Sequence, residues 1–106
     1  MNTYRIRITI QARENLRNIR NYIEFELLAP LAAKNTIDEI KREIQSLKTM
    51  PERIHLTPEQ PWHDQGVHRA RVRNYYIYFW IDEKQKTVQI ISVIYVKRDQ
   101  IRHLPE

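Results

Sequence analysis

Apolar and polar residues alternate strictly at the start of the chain. Tyr4, Ile6, Ile8 and Ile10 fall on one side, and Arg5, Arg7 and Thr9 on the other. A period of two with β-branched residues predicts a half-buried strand. From Ala12 the period lengthens. Ala12, Leu16, Ile19 and Ile23 step by four, three and four, which puts them on one helical face, with Arg13, Arg17, Arg20 and Glu24 around the rest. Pro30 breaks this run. Ala33, Ile37, Ile40, Ile44 and Leu47 repeat the spacing up to Met50-Pro51, where the residue before proline is pushed out of the α region. Two amphipathic helices joined through Leu28-Ala29-Pro30 predict an antiparallel hairpin whose apolar stripes face each other and a sheet.

Residues 51–66 hold Pro51, Pro58, Pro61 and Gly66 among mixed polar residues and read as a loop with room for one short strand, pinned by Leu56 and Trp62. Three strands are expected next. In Val67 to Arg73, His68, Ala70 and Val72 oppose Arg69, Arg71 and Arg73. In Tyr75 to Ile81, Tyr75, Ile77, Phe79 and Ile81 oppose Tyr76, Tyr78 and Trp80. The third, Thr87 to Val96, is apolar on most of both sides and is expected at the centre of the sheet. Asp82 to Lys86 is a polar hairpin turn, and Arg98 to Leu104 predicts a final helical turn. The order β-α-α-β-β-β defines an α+β fold, a helical hairpin on a curved, antiparallel-rich sheet.

A chain of 106 residues builds one core, so residues 1–106 are expected to form a single domain. With 42% hydrophobic and 29% charged residues, it is neither disordered in composition nor long enough in any apolar run to span a bilayer. The opening segment interleaves arginine with apolar residues, unlike a signal peptide, and a cytoplasmic protein with no membrane partner is expected. The absence of cysteine excludes disulfides, thiolate zinc sites and a cysteine nucleophile. The single glycine excludes a glycine-rich phosphate loop, and four scattered histidines suggest no metal site.

The net charge of +5 favours polyanionic partners only weakly, but its placement says more: residues 67–80 carry Arg69, Arg71 and Arg73 and no acid. Alternation throws the three guanidiniums onto one face, successive pairs roughly 7 Å apart, close to the phosphate spacing of an extended single strand. Guanidiniums pair with phosphate oxygens bidentately, and Tyr76, Tyr78 and Trp80 add aromatic platforms on which splayed bases stack. Acids on a partner protein would suit the same arginines. A second cluster, Tyr95, Lys97, Arg98 and His103, ends the last strand. Metal-free RNA cleavage needs a base for the 2′-OH, cations for the charged phosphorane and an acid for the leaving oxygen. Arginine serves the second need; His103 and His68 titrate near neutrality and suit the others.

The chain resembles the RelE/ParE superfamily of type II toxin–antitoxin toxins. The resemblance covers nearly the whole chain. It rests on YRIRIT at 4–9, the Ala12/Leu16/Ile19 and Ile37/Ile40/Ile44/Leu47 runs with Met50-Pro51, HRARVRNYYIYFWID at 68–82 and VIYVKRD at 93–99. It implies a growth-inhibiting toxin of the plasmid-stabilisation type, silenced by a cognate antitoxin and meeting operator DNA only through that complex. RelE-like members cut mRNA on the ribosome without metal; ParE-like members poison DNA gyrase. By position, Arg69 and Arg71 match the basic pair of nuclease members and Arg98 the basic residue after the last strand. Tyr76 stands where nuclease members commonly have arginine, His103-Leu104 where they have a catalytic tyrosine, and Tyr95 where many have histidine. The expected function is ribosome-dependent mRNA cleavage. Gyrase inhibition without nuclease activity, or a non-toxic binding module, is the alternative. The expected catalytic residues are Arg71, Arg98 and His103, the expected nucleic-acid contacts Arg69, Arg73, Lys97, Tyr76 and Tyr78, and no metal or cofactor is expected.

Overall fold

A computed structural model describes residues 3–97. The first strand, β1 (Arg5–Ile8), turns Ile6 and Ile8 inward and leaves Arg5 and Arg7 exposed. The alternation stops at Ile8 because Thr9 caps the helix that follows, α1 (Ile10–Asn21). Its hydroxyl accepts the Ala12 N–H at 3.1 Å and donates to the Ile90 carbonyl at 2.9 Å, so one side chain both starts the helix and ties it to the sheet. Ile10 is therefore the first residue of the helix and 80% exposed, not a fourth inward strand residue as alternation predicts.

Ala12 and Leu16 are buried against the sheet. The chain then widens into a π-helical turn, Tyr22–Glu26, in which the Leu27 N–H reaches back to the Tyr22 carbonyl at 3.1 Å. Ile23 stays buried while Tyr22, Phe25, Leu27 and Leu28 are exposed. Leu28 reverses the chain at a φ of 54°, and Pro30, whose missing N–H costs nothing there, opens α2 (Pro30–Ser46). That helix buries Ala33, Ile37, Ile40 and Ile44. It ends at Ser46, four residues before Met50: Leu47 and Lys48 donate to Ile44 and Gln45 in a tightened last turn, and Met50 takes a left-handed φ of 48° ahead of Pro51.

The sheet is ordered β1-β4-β3-β2, with β2 (Val67–Val72), β3 (Tyr75–Asp82) and β4 (Thr87–Tyr95) antiparallel in sequence and β1 parallel to β4. β4 is central, as its two apolar sides require. Ile77, Phe79, Val88 and Ile90 are completely buried between the sheet and the helices. A bulge follows Tyr78, which pairs with Ser92 while Phe79 pairs with Ile90. β1 ends opposite Ile90; farther along, Asn15 of α1 replaces it, its side-chain oxygen accepting the Val93 N–H at 3.0 Å.

The 51–66 segment lies along the free edge of β2. Leu56 bridges His68, and the Thr57 N–H reaches the Val67 carbonyl at 2.8 Å. This short strand-like stretch covers an edge that would otherwise offer unpaired backbone groups. Its anchor is Thr57, which is fully buried, with Leu56 half-buried; Trp62, read from sequence as a pin, is 43% exposed.

Candidate nucleic-acid interface

The sheet face away from the helices carries the residues that alternation sets opposite the core. Register pairs Arg69 with Tyr78 and Arg71 with Tyr76. The Arg69 guanidinium sits 4.0 Å over the Tyr76 ring centroid and that of Arg71 5.9 Å from it, so one tyrosine lies between two cations. Tyr76 and Tyr78 meet edge to face at 6.2 Å. Tyr78 is buried and forms the floor of the cluster, whereas Tyr76 is half-buried and presents more of its surface.

The two arginines differ in freedom. Arg69 pairs with Glu59 of the edge-covering segment at 3.0 Å and is only 22% exposed. Arg71 is exposed; its Nε donates to the Arg73 carbonyl at 2.9 Å, and among the described residues no carboxylate lies in ion-pair range of it. Its terminal nitrogens are the accessible cation of the β2 arginine row.

Arg73 does not continue the row. It is the first residue of the two-residue turn between β2 and β3, at a φ of 54°, where alternation no longer applies. The turn swings its guanidinium onto α2, where it clasps Glu39 with two hydrogen bonds, at 2.6 and 3.1 Å, and reaches Thr36 at 3.3 Å. The bond to Arg73 holds the Glu39 carboxyl below its usual value against a smaller opposing effect of desolvation, and Glu39 in turn raises Arg73.

Lys97 is exposed just beyond β4. The Val96 N–H donates to the Asn74 carbonyl at 2.9 Å, which brings Lys97 to the same end of the sheet as Arg71. Arg98 and His103 lie outside the described residues. His68 lies on the core side: its ring stacks on Phe79 at 5.0 Å, and its Nδ1–H donates to the Ile54 carbonyl at 2.7 Å. Its ring therefore faces away from the sheet side that carries Arg71.

Sequence reasoning missed two members of this face. Arg5 pairs with Thr87 and Arg7 with Gln89, and Gln89 pairs in turn with Trp80. The polar side of β1 thus shares the outer face with Arg69 and Arg71. The strand's alternation was a visible signal, but which face it joined depended on a parallel pairing with a strand some eighty residues away.

At the opposite end, Tyr75 and Tyr95 pack at 5.6 Å. Burial above all, then the neighbouring Tyr95 and Tyr22 hydroxyls, push Tyr75 above its usual value. Tyr22, the first residue of the π-helical turn, therefore lies near Tyr75. Among the described residues no helix is long and apolar enough to cross a membrane.

Comparison with known proteins agrees with this architecture. No curated protein matches the chain in sequence. The fold is similar to that of a chromosomal ParDE toxin–antitoxin system from P. aeruginosa, with a TM-score of 0.74, 18% identity, and 91% of this chain and 99% of that one covered. It is also similar to the toxin–antitoxin complex RelBE2 from Mycobacterium tuberculosis, with a TM-score of 0.61, 22% identity and coverages of 88% and 98%. A mutant of the E. coli toxin RelE in the free state gives 0.64, 14%, 93% and 90%. These likenesses establish a shared fold. In sequence, residues 6–100 match the family described as the ParE toxin of the type II toxin–antitoxin system parDE. The chain belongs to that family of ParE toxins, within the RelE/ParE superfamily.

Proposed function

We propose that this toxin arrests growth through its outer sheet face, and that it does so by cleaving mRNA on the ribosome. The observation that carries this reading is Arg71: an exposed guanidinium with no carboxylate in ion-pair range among the described residues, beside a tyrosine already stacked on a second arginine. Such a group binds a phosphodiester and offsets the charge that develops on it during transfer. In this reading Lys97 adds a cation at the same end and Arg98 serves as a further phosphate-contacting cation, Tyr76 supports a base by stacking, and Tyr78 and Arg69 hold Tyr76 in place. Arg73 contributes by fixing the β2–β3 turn on α2. His103 moves the proton, because arginine and lysine stay charged at neutral pH and tyrosine titrates near 10.

A cognate antitoxin, encoded beside the toxin as a small acidic protein, silences it; the similar structures are named as a ParDE toxin–antitoxin system and a RelBE2 toxin–antitoxin complex. An amphipathic helix of that partner covers Tyr22, Phe25 and Leu28 and brings acids to Arg71; operator DNA is met only through the complex. Ribosome and mRNA place the action in the cytoplasm.

The alternative reading is inhibition of DNA gyrase without nuclease activity. Arg69 and Arg73 each hold a glutamate, and His68 faces the core, so the described part of the face is less nuclease-like than a row of three free arginines.

Mapping mRNA 5′ ends after toxin induction tests the proposal. New ends within translated codons are expected, and ribosomes programmed with a defined mRNA should lose about 10²–10⁴-fold in cleavage rate with His103→Gln. Induction that yields no new ends but blocks supercoiling by purified gyrase transfers the function to the second reading.

A further inference from the structure

The outer face has a second basic end. Arg5 and Arg7 are exposed on β1, and among the described residues neither lies in ion-pair range of a carboxylate. They rim an open groove of about 420 Å³ whose floor is Thr87 and Gln89, with Asp82 on the far side. One Asp82 oxygen accepts the Gln85 N–H at 3.1 Å and is committed to the β3–β4 turn. Same-face residues of a strand lie roughly 7 Å apart, close to successive phosphates of an extended chain. Trp80, 40% exposed, stands across Gln89 from Arg7 at about two strand spacings, roughly 10 Å. That is within the reach of a nucleotide from phosphate to base.

We propose that Arg5 and Arg7, over the Thr87–Gln89 floor, bind the phosphodiester backbone of a single-stranded nucleic acid, with Trp80 as the platform for a base. This rests on the reading of the outer face as the nucleic-acid surface, and adds to it a subsite diagonal to Arg71. The combination of a cation pair, hydrogen-bonding floor and a partly exposed indole, its Nε1 edge beside Gly66, fits a nucleotide chain better than an acidic peptide, which has no use for the stacking surface.

Fluorescence anisotropy of a labelled oligouridine against the purified full chain, over a range of salt, tests the proposal. The Arg5→Gln/Arg7→Gln double variant should bind about 10-fold more weakly at 0.1 M salt, with the slope of log K against log salt reduced by about 1.4, the value for two contacts on a single strand. Gln89→Lys, which adds a cation to the groove floor, should tighten binding and steepen the slope by about 0.7. Both variants are compared with the wild type by circular dichroism.

The subsite is refuted if the double variant and Gln89→Lys both bind as the wild type does while Arg71→Ala weakens binding; the outer-face reading then stands. If Arg71→Ala binds normally and the β1 variants shift as expected, the subsite stands and the Arg71 reading fails. Two further arms also count against the proposal. In one, uridine monophosphate displaces the oligomer at equal phosphate concentration, which makes the site one for a free nucleotide. In the other, the double variant loses affinity for polyglutamate but not for oligouridine, which makes it a protein contact.

Discussion

The guanidinium of Arg73 grips the carboxylate of Glu39 across 34 residues of chain, Nε to Oε1 at 2.6 Å and Nη2 to Oε2 at 3.1 Å. The pair locks the β2–β3 turn to α2, and so fixes the end of the sheet that carries Arg71. Glu39 titrates below its usual value near 4.5 because of Arg73. A lowered carboxyl contributes stability that is present above the unfolded-state value and is lost as pH falls through the folded-state value. Glu39→Gln should therefore melt below the wild type near neutral pH, and the gap should close as the pH is taken below about 4. Thermal melts at several pH values check this; a gap independent of pH would show that the ion pair contributes nothing.

Asn15 does for β4 what β1 does farther up the strand. With its acceptor removed, the Val93 N–H has no partner from α1, and leaving such a donor unsatisfied costs about 1–3 kcal/mol. Asn15→Leu should lower the urea midpoint accordingly without changing the slope of the transition. An unchanged midpoint means that solvent satisfies the group.

His68 packs on the core side of β2. Replacing it with alanine removes the stack on Phe79 and the bond to the Ile54 carbonyl, at a cost of about 1–3 kcal/mol. Toxicity per folded molecule should persist. A stable His68→Ala protein that no longer arrests growth would return His68 to the list of reactive groups.

Much of this fold is legible in the order of residues because each element carries one unambiguous period. Tyr4 to Ile8 alternates, Ala12 to Ile23 and Ala33 to Leu47 step by three and four, and β4 is apolar on both sides and central as that demands. The misses occur where a local feature interrupts a period. Thr9 caps a helix one residue before alternation would place Ile10 inward. The π-helical turn carries no composition signal, although Phe25 lies off the Ala12-Leu16-Ile19-Ile23 stripe and is exposed as that spacing requires. Arg73 continues the arginine row in sequence, but a turn residue at positive φ leaves the strand. The placement of Arg71 and Tyr76 together on the outer face was legible from alternation. The carboxylates that occupy Arg69 and Arg73 come from a loop and a helix, and the parallel pairing that adds Arg5 and Arg7 is a long-range fact of topology.

The antitoxin interface should depend on the apolar tip of the helical hairpin. Phe25 is 64% exposed, and its burial under a partner helix is worth roughly 1.5–3 kcal/mol, or about ten- to a hundredfold in Kd. Phe25→Asp should weaken neutralisation by at least that much while the free toxin still arrests growth. Calorimetry with the purified partner gives the affinity, and an unchanged Kd places the partner elsewhere.

The account stands on Arg71 as the exposed working cation of the outer face. The most direct measurement is growth after induction of the toxin alone, wild type against Arg71→Ala, at matched soluble expression and with matching circular dichroism. Arg71 is exposed, and among the described residues its side-chain hydrogen bond is to a turn carbonyl, so the variant should fold and melt close to the wild type. Loss of growth arrest by this folded variant is the predicted result; full-strength arrest by Arg71→Ala contradicts the account.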